Sequence, residues 1–377
     1  MEREGIIGLS EAVLGEEEER AVLAVLRGAW LTQGEKTAEF EQAFSRLYPH
    51  ASAVAVNSCT SGLHLALAAL GIGPGDEVLV PGITFVATAN AVIYTGAVPV
   101  PVDITGLHLP HIDPAAAERA LTPRTRAVIV MHHGGYSVDL PAWKDFAESN
   151  KLILVEDAAH CPGLPDVGKY SAAAVFSFFG NKNITTAEGG MVLVRDESLA
   201  ERMRRLRGHA MSAPTLTRAR GHAFGYDIEE LGWNYRLDDI RAALGLAQLS
   251  RLERHNRLRG EFSSLYRDLL DRELPSILVP FSREYRSTYH LMPVVLPPGA
   301  DRGALMAGLR SRGIQSSVHY PPWHRFAWHQ RQIGRRKLPV AEEYSARTLT
   351  LPLHPGLSRN DVERVVAALA EILSSPK

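Results

Sequence analysis

Residues 52–104 read SAVAVNSCTSGLHLALAALGIGPGDEVLVPGITFVATANAVIYTGAVPVPVDI. Short apolar runs alternate here with stretches of helical spacing. AVAV (53–56), EVLVPG (77–82) and AVPVPVDI (97–104) are the runs. GLHLALAAL (62–70) and TFVATANAVIYTG (84–96) are the helical stretches, and GIGPGDE (71–77) is a turn. Strands alternating with helices of about ten residues make βαβ units and a mainly parallel sheet. The runs are apolar at nearly every position rather than at every second one. Strands of that kind are covered on both faces.

The same texture continues outward. A helix at 114–121 precedes the strand RAVIVMHH (126–133). PAWKDFAESN (141–150) is a helix, KLILVED (151–157) a strand, and AAVFSFF (173–179) and GGMVLVR (189–195) two more strands. Towards the N-terminus, residues 11–28 and a stretch ending near Tyr48 read as two amphipathic helices around a turn at Leu31–Gly34. From about Leu231 the texture changes. Residues 238–270 read as one long amphipathic helix, followed by a strand in YHLMPVVLP (289–297) and helices in GALMAGLRSRG (303–313) and DVERVVAALAEILSS (361–375). The expected architecture is α/β, a large unit (1–249) with a mostly parallel seven-stranded sheet between helices and a smaller C-terminal α+β unit (250–377).

Composition narrows the function. The chain has 377 residues, with 41 Lys and Arg against 42 Asp and Glu. A net charge of −1 gives no basic field for nucleic acid or anionic lipid. The longest block of like charge, Glu16–Glu19, sits inside a helical pattern. Two cysteines, Cys59 and Cys161, make neither a disulfide framework nor a zinc site. The N-terminal sequence lacks the basic-then-apolar plan of a secretory signal, and no apolar run is long enough to span a bilayer. The expectation is a cytoplasmic protein without membrane or nucleic-acid partners.

In open α/β sheets, ligands gather at the carboxyl ends of the strands. After AVAV comes NSCTSG (57–62), opening a helix. Hydroxyl residues there offer N–H and O–H donors to a phosphate, although one of them is also what a plain helix cap needs. After LILV come Glu156 and Asp157, then His160. An acid closing a buried strand is costly without a partner, which a structural ion pair would equally supply. After AVFSFF comes GNKN (180–183), which sets Lys182 directly behind an aromatic strand. Burial disfavours the ammonium form, unless the side chain simply snorkels at a sheet edge. Taken together, the three strand exits describe one ligand: a phosphate, a carboxylate and a lysine nucleophile are what pyridoxal phosphate requires. Its aldehyde condenses with a lysine, and its ring nitrogen needs an acid to stay protonated.

With those residues in view, the chain resembles the DegT/DnrJ/EryC1/StrS sugar aminotransferases, a branch of the fold-type I pyridoxal-phosphate enzymes. NSCTSG through VPVDI, VEDAAH, FSFFGNKNITTAEGGM, GWNYRLDDIRAALGLAQL and LPLHPGLSRNDVERVV carry the resemblance, in order and over almost the whole chain. It implies that Lys182 bears the cofactor and moves the substrate proton, that Asp157 pairs with the pyridinium nitrogen, and that His160 stands near the phenolic oxygen. Thr60, Ser61 and Ser177 would contact the phosphate, and Phe85 would cover the ring. Asn234 would reach the phosphate of the neighbouring subunit, making a homodimer with shared sites. The implied reaction passes an amino group, from L-glutamate by resemblance, to a nucleotide-linked keto sugar. Gly180-Asn181 replaces the Pro-Thr of many members and looks like the perosamine-synthase type, which aminates a 4-keto sugar. The stretch between His160 and Ser177 is shorter than usual. Relatives that dehydrate sugars carry His at the lysine position, so Lys182 favours transamination over a dehydratase or other lyase.

Other features have blander readings. His132 and His133 are adjacent on a strand and point to opposite faces, so they do not share a metal ion, and no metal is expected. HYPPWH (319–324) and TYH (288–290) could touch a sugar nucleotide or pack at a domain interface; His319 and Tyr320 are the substrate candidates. RMRRLRGH (202–209) reads as a solvated helix face. A ligand-sensing regulator would need a basic recognition helix, which is missing. A simple nucleotide binder would need G-x-G-x-x-G where NSCTSG stands.

Overall fold

The structure is a computed structural model that describes residues 5–212, 221 and 225–374. Its strands are β1 (Ser52–Val56), β2 (Glu77–Pro81), β3 (Val98–Val102), β4 (Ile104–Gly106), β5 (Leu109–Ile112), β6 (Thr125–Met131), β7 (Ile153–Asp157), β8 (Ala173–Ser177), β9 (Gly190–Val194), β10 (Met292–Val295) and β11 (Thr348–Leu351). Seven of them form one sheet in the order β1-β9-β8-β7-β6-β2-β3. These are the seven apolar runs of the sequence. Six run in one direction and β9 opposes both its neighbours. The reason is the connection. Parallel neighbours need a long crossover, usually a helix; the twelve residues between β8 and β9 contain no helix, and the chain doubles back.

Period-two alternation assigns each side chain to a face. Val54 and Val56 join Leu63, Val80, Ile129 and Val192 in one core layer. Ala53 and Ala55 face the other way and meet Phe40, Phe44, Phe176 and Met191. Phe40 and Phe44 come from the helix Glu35–Leu47, whose i, i+4 spacing puts both rings on its inner stripe. Each such fully buried side chain contributes about 1.5–3 kcal/mol relative to exposure. Two dry faces leave only the strand ends open, and the ligand groups lie there.

A second core surrounds the antiparallel pair β10–β11. It gathers Tyr266 and Leu270, Leu305 and Leu309, and Val365 and Leu369 from three helices, together with Ile7 from the start of the described chain. Ile7 is stitched there by Ile7 N–H to Gly313 O (2.8 Å) and Gln315 N–H to Ile7 O (3.0 Å). The helix Asp239–Glu273 contributes to both cores. Its first half packs with Leu246, Leu249 and Leu252 against the large core, its second half with Tyr266 and Leu270 in the small one. The boundary expected near Leu249 therefore falls inside one unbroken helix. The sequence did not anticipate the β4–β5 ribbon or the helices Ala327–Ile333 and Pro339–Arg347.

Candidate active site

The carboxyl ends of β1, β2, β6, β7 and β8, and the start of the reversed β9, border a pocket of about 390 Å³. Thr60, Phe85, Asp157, His160, Ser177, Lys182, His319 and Tyr320 all line it. Ser61 and Asn234 do not. Ser58 and Ser61 cap the helix Cys59–Ala69 reciprocally, each hydroxyl accepting the other's backbone N–H. Ser61 Oγ also donates to Asn57 Oδ1 at 2.6 Å. Its hydroxyl is consumed by the cap, whereas Ser58 and Thr60 face the pocket. The amides of Cys59 and Thr60 stand in the first turn, where no helical carbonyl reaches them. That positive helix end suits an anion. Asn234 is exposed, and its carbonyl accepts from Asn57 Nδ2 at 3.2 Å.

The alternation of β7 separates its two acids. Asp157 turns to the pocket. Glu156, fully buried, faces away and is saturated: it pairs with His132 Nε2 at 2.9 Å and accepts from Ser171 Oγ (2.6 Å) and Gly168 N–H (3.0 Å). His133 meets Tyr344 Oη at 3.2 Å. Neither histidine lines the pocket, and among the described residues no group of His, Cys, Asp and Glu could hold a metal ion.

Asp157 is held on both oxygens. Oδ2 accepts from Thr88 Oγ1 at 2.6 Å and Oδ1 from Ala159 N–H at 3.1 Å. Burial raises its pKa, against the pull of Thr88, Ala159 and Lys182. Thr88 is a site residue that the sequence reading missed. Its signal was there: Thr84, just before the helix Val86–Tyr94, and Thr88 in its first turn are hydroxyls four residues apart, and their oxygens lie 2.7 Å from each other.

Burial pushes Lys182 down to about 8. Below that pH the amine is charged; above it the lone pair is free to attack or accept a proton. Burial likewise holds His160 well below its ordinary value, helped by Lys182 and His290. Gly134 N–H donates to His160 Nδ1 at 3.2 Å, so the ring proton sits on Nε2 and points to Tyr320 Oη at 3.0 Å. Tyr320 keeps its own proton, since burial raises it strongly. His319, lowered to about 4 chiefly by burial, sits 2.8 Å through Nδ1 from Thr350 Oγ1. Phe85 flanks the entrance, half-exposed, its ring centroid 5.9 Å from that of Tyr320.

The donor set fits pyridoxal phosphate: an amine near neutrality, a buried carboxylate already partnered on its outer side, and a hydroxyl-rich helix start. Described arginines are absent from the lining, so no guanidinium clamp for a donor carboxylate is visible within this chain's pocket.

Two consecutive glycines hold the floor together. Gly134 and Gly135 have φ of +68° and +92°. A Cβ on Gly135 would fall 2.5 Å from Thr288 Oγ1, 3.0 Å from His290 N and 3.1 Å from His160 O. Gly135→Ala combines a left-handed strain with overpacking against backbone, each worth about 1–3 kcal/mol. A loss of about 3 kcal/mol, read as a lower urea midpoint, is the expected outcome; an unchanged midpoint contradicts the close approach.

Residues 12–370 match the model of the DegT/DnrJ/EryC1/StrS aminotransferase family. The chain is 38% identical to the spore coat polysaccharide biosynthesis protein SpsC of Bacillus subtilis (strain 168), with 98% of each chain covered. It is similar in structure to Helicobacter pylori PseC, an aminotransferase involved in the biosynthesis of pseudoaminic acid (TM-score 0.90, 29% identity, 97% of this chain and 99% of the other). NtdA of Bacillus subtilis, solved with bound cofactor PMP, is also similar (TM-score 0.86, 27% identity, 98% of this chain and 86% of the other).

Proposed function

The chain belongs to the DegT/DnrJ/EryC1/StrS aminotransferase family, whose cofactor is pyridoxal 5'-phosphate, and from that premise we propose that it passes an amino group from L-glutamate to a nucleotide-linked 4-keto sugar. The observation that carries the proposal is one pocket lined by Lys182, Asp157 and the hydroxyl-rich helix start. The curated relative named for polysaccharide biosynthesis supports a sugar as acceptor. The Gly180-Asn181 pair before Lys182 supports the 4-keto class.

When bound, the cofactor supplies a conjugated ring that takes up the negative charge left when a neighbouring C–H loses its proton. The residues of this chain do the rest. Lys182 would hold the cofactor and, once free of it, would carry the proton between substrate and cofactor. A pKa near 8 suits it to both directions of that transfer. Asp157 holds a proton at the ring nitrogen, and Thr88 and Ala159 keep its carboxylate aimed. Thr60, Ser61 and Ser177 hold the phosphate, Thr60 and Ser177 directly and Ser61 through the cap that shapes the turn. Phe85 covers the ring and excludes water. His160 stands at the phenolic oxygen, and His319 and Tyr320 meet the sugar.

Asn234 serves the site of a neighbouring subunit in a cytoplasmic homodimer. A subunit contact is supported by the exposure of Leu231 (81%), Phe85 (54%) and Phe179 (48%) around the pocket and the Asn234 loop. In this reading, the unit built on β10 and β11 is a separate small domain that closes one wall of the pocket.

Incubating the purified chain with glutamate and a panel of keto sugar nucleotides tests the reaction. One 2-oxoglutarate should form for each aminated sugar, with ping-pong kinetics. Sugar turnover without 2-oxoglutarate would favour the dehydratase alternative instead.

A further inference from the structure

One neighbour of the reactive amine has no role in the chemistry above. His290 Nε2 lies 3.4 Å from Lys182 Nζ, and the ring is buried. The direction of that contact follows from a hydrogen-bond chain read from its far end. Pro162 O and Thr288 O are backbone carbonyls and can only accept. Asn256 Nδ2 donates to Pro162 O at 2.9 Å, which leaves Asn256 Oδ1 to face Asn183. Asn183 Nδ2 donates to that oxygen at 2.8 Å and to Thr288 O at 2.8 Å. Asn183 Oδ1 is then the atom facing His290 Nδ1, at 2.9 Å, and it needs a donor. The ring proton of His290 therefore sits on Nδ1. Its Nε2 carries only a lone pair, and Lys182 is the donor.

We infer that His290 is a positioning residue for Lys182: its Nε2 accepts one N–H of the amine and so turns the rest of the amine toward the pocket. The inference rests on Lys182 being the proton carrier. A lysine on four rotatable bonds loses its aim once it is free of the cofactor, and a single directed acceptor restores it. Burial first of all keeps His290 neutral. The charged or titratable groups that add to this are Lys182, Arg259, His319 and His133, and the ring of His160 lies 4.3 Å from its own. None of these is an acid. Its backbone is fixed as well, with His290 N–H donating to Gly134 O at 2.9 Å. The TYH segment thus addresses the lysine rather than the sugar.

The test uses the full-length chain freed of cofactor, with Lys182 labelled by an amine-specific reagent across pH. The unaltered amine should titrate near 8. His290→Asn keeps a donor for Asn183 but removes the acceptor at Lys182. Losing a hydrogen bond to a charged group should lower the Lys182 midpoint by about one unit. His290→Gln returns an amide oxygen to the Nε2 position and should bring the midpoint back to within a few tenths of a unit. An unchanged midpoint in His290→Asn, or equal shifts in both variants, overturns the inference. Nitrogen NMR of the unaltered chain tests it without substitution, because His290 must show the Nδ1-protonated neutral ring; the opposite tautomer overturns it. All these readings are made without cofactor. A failure to bind pyridoxal phosphate or to transaminate would therefore sink the proposed function separately.

Discussion

Lys182→Ala is expected to leave the fold intact and to lower turnover by at least about 10⁴-fold. Two losses combine. The cofactor no longer has a covalent anchor, and no other described amine lines the pocket to move the proton. The remaining groups do not replace it. His160, His290 and His319 are all held below their ordinary pKa by burial, and Asp157 is engaged by Thr88 and Ala159. Stability should change little, because the deleted ammonium was itself disfavoured by burial. The visible absorption band of the loaded protein should vanish while phosphate contacts still retain some cofactor. Full activity or a persisting band in this variant would remove the lysine from the chemistry.

Asp157→Asn should retain cofactor and lose about 10²–10³-fold in rate, the size typical of removing one aimed electrostatic group. The structure shows why it should still fold. Asn Oδ1 can keep the N–H of Ala159. The new Nδ2 donates where Oδ2 once accepted, and Thr88 can answer by reversing its bond with Thr84, since either hydroxyl of that pair can be the donor. An amide, however, cannot keep a ring nitrogen protonated. Cofactor affinity from spectral titration and rates from single half-reactions separate the two effects. A normal rate would show that the acid does not face the ring.

The strand ends were readable because buried strands leave few places for polar groups. Asp157, Lys182 and the NSCTSG turn follow directly on apolar runs. What escaped the sequence was the part made by distant contacts. The resemblance picked Asp157 over Glu156, but the physical ground for it, Glu156 facing Ser171 and His132 across β7, is seen only in the fold. Thr88 reaches Asp157 across 69 positions of chain, and His290 reaches Lys182 across 108. A local pattern can flag a hydroxyl such as Thr88, but not the distant partner it reaches. The reversal of β9 was legible only through the missing crossover helix. Residues 239–273 look alike throughout as an amphipathic helix, although the two halves serve different cores.

Ile7 has a consequence for how the chain is made. Its partners at Gly313 and Gln315 leave the ribosome some three hundred residues later. At about 5–20 residues per second, that is a delay on the order of 15–60 s. During it, Ile7 has no docking partner, while the sheet that follows it can already assemble. Interrupted synthesis then leaves the Ile7 segment undocked and open to chaperones and proteases.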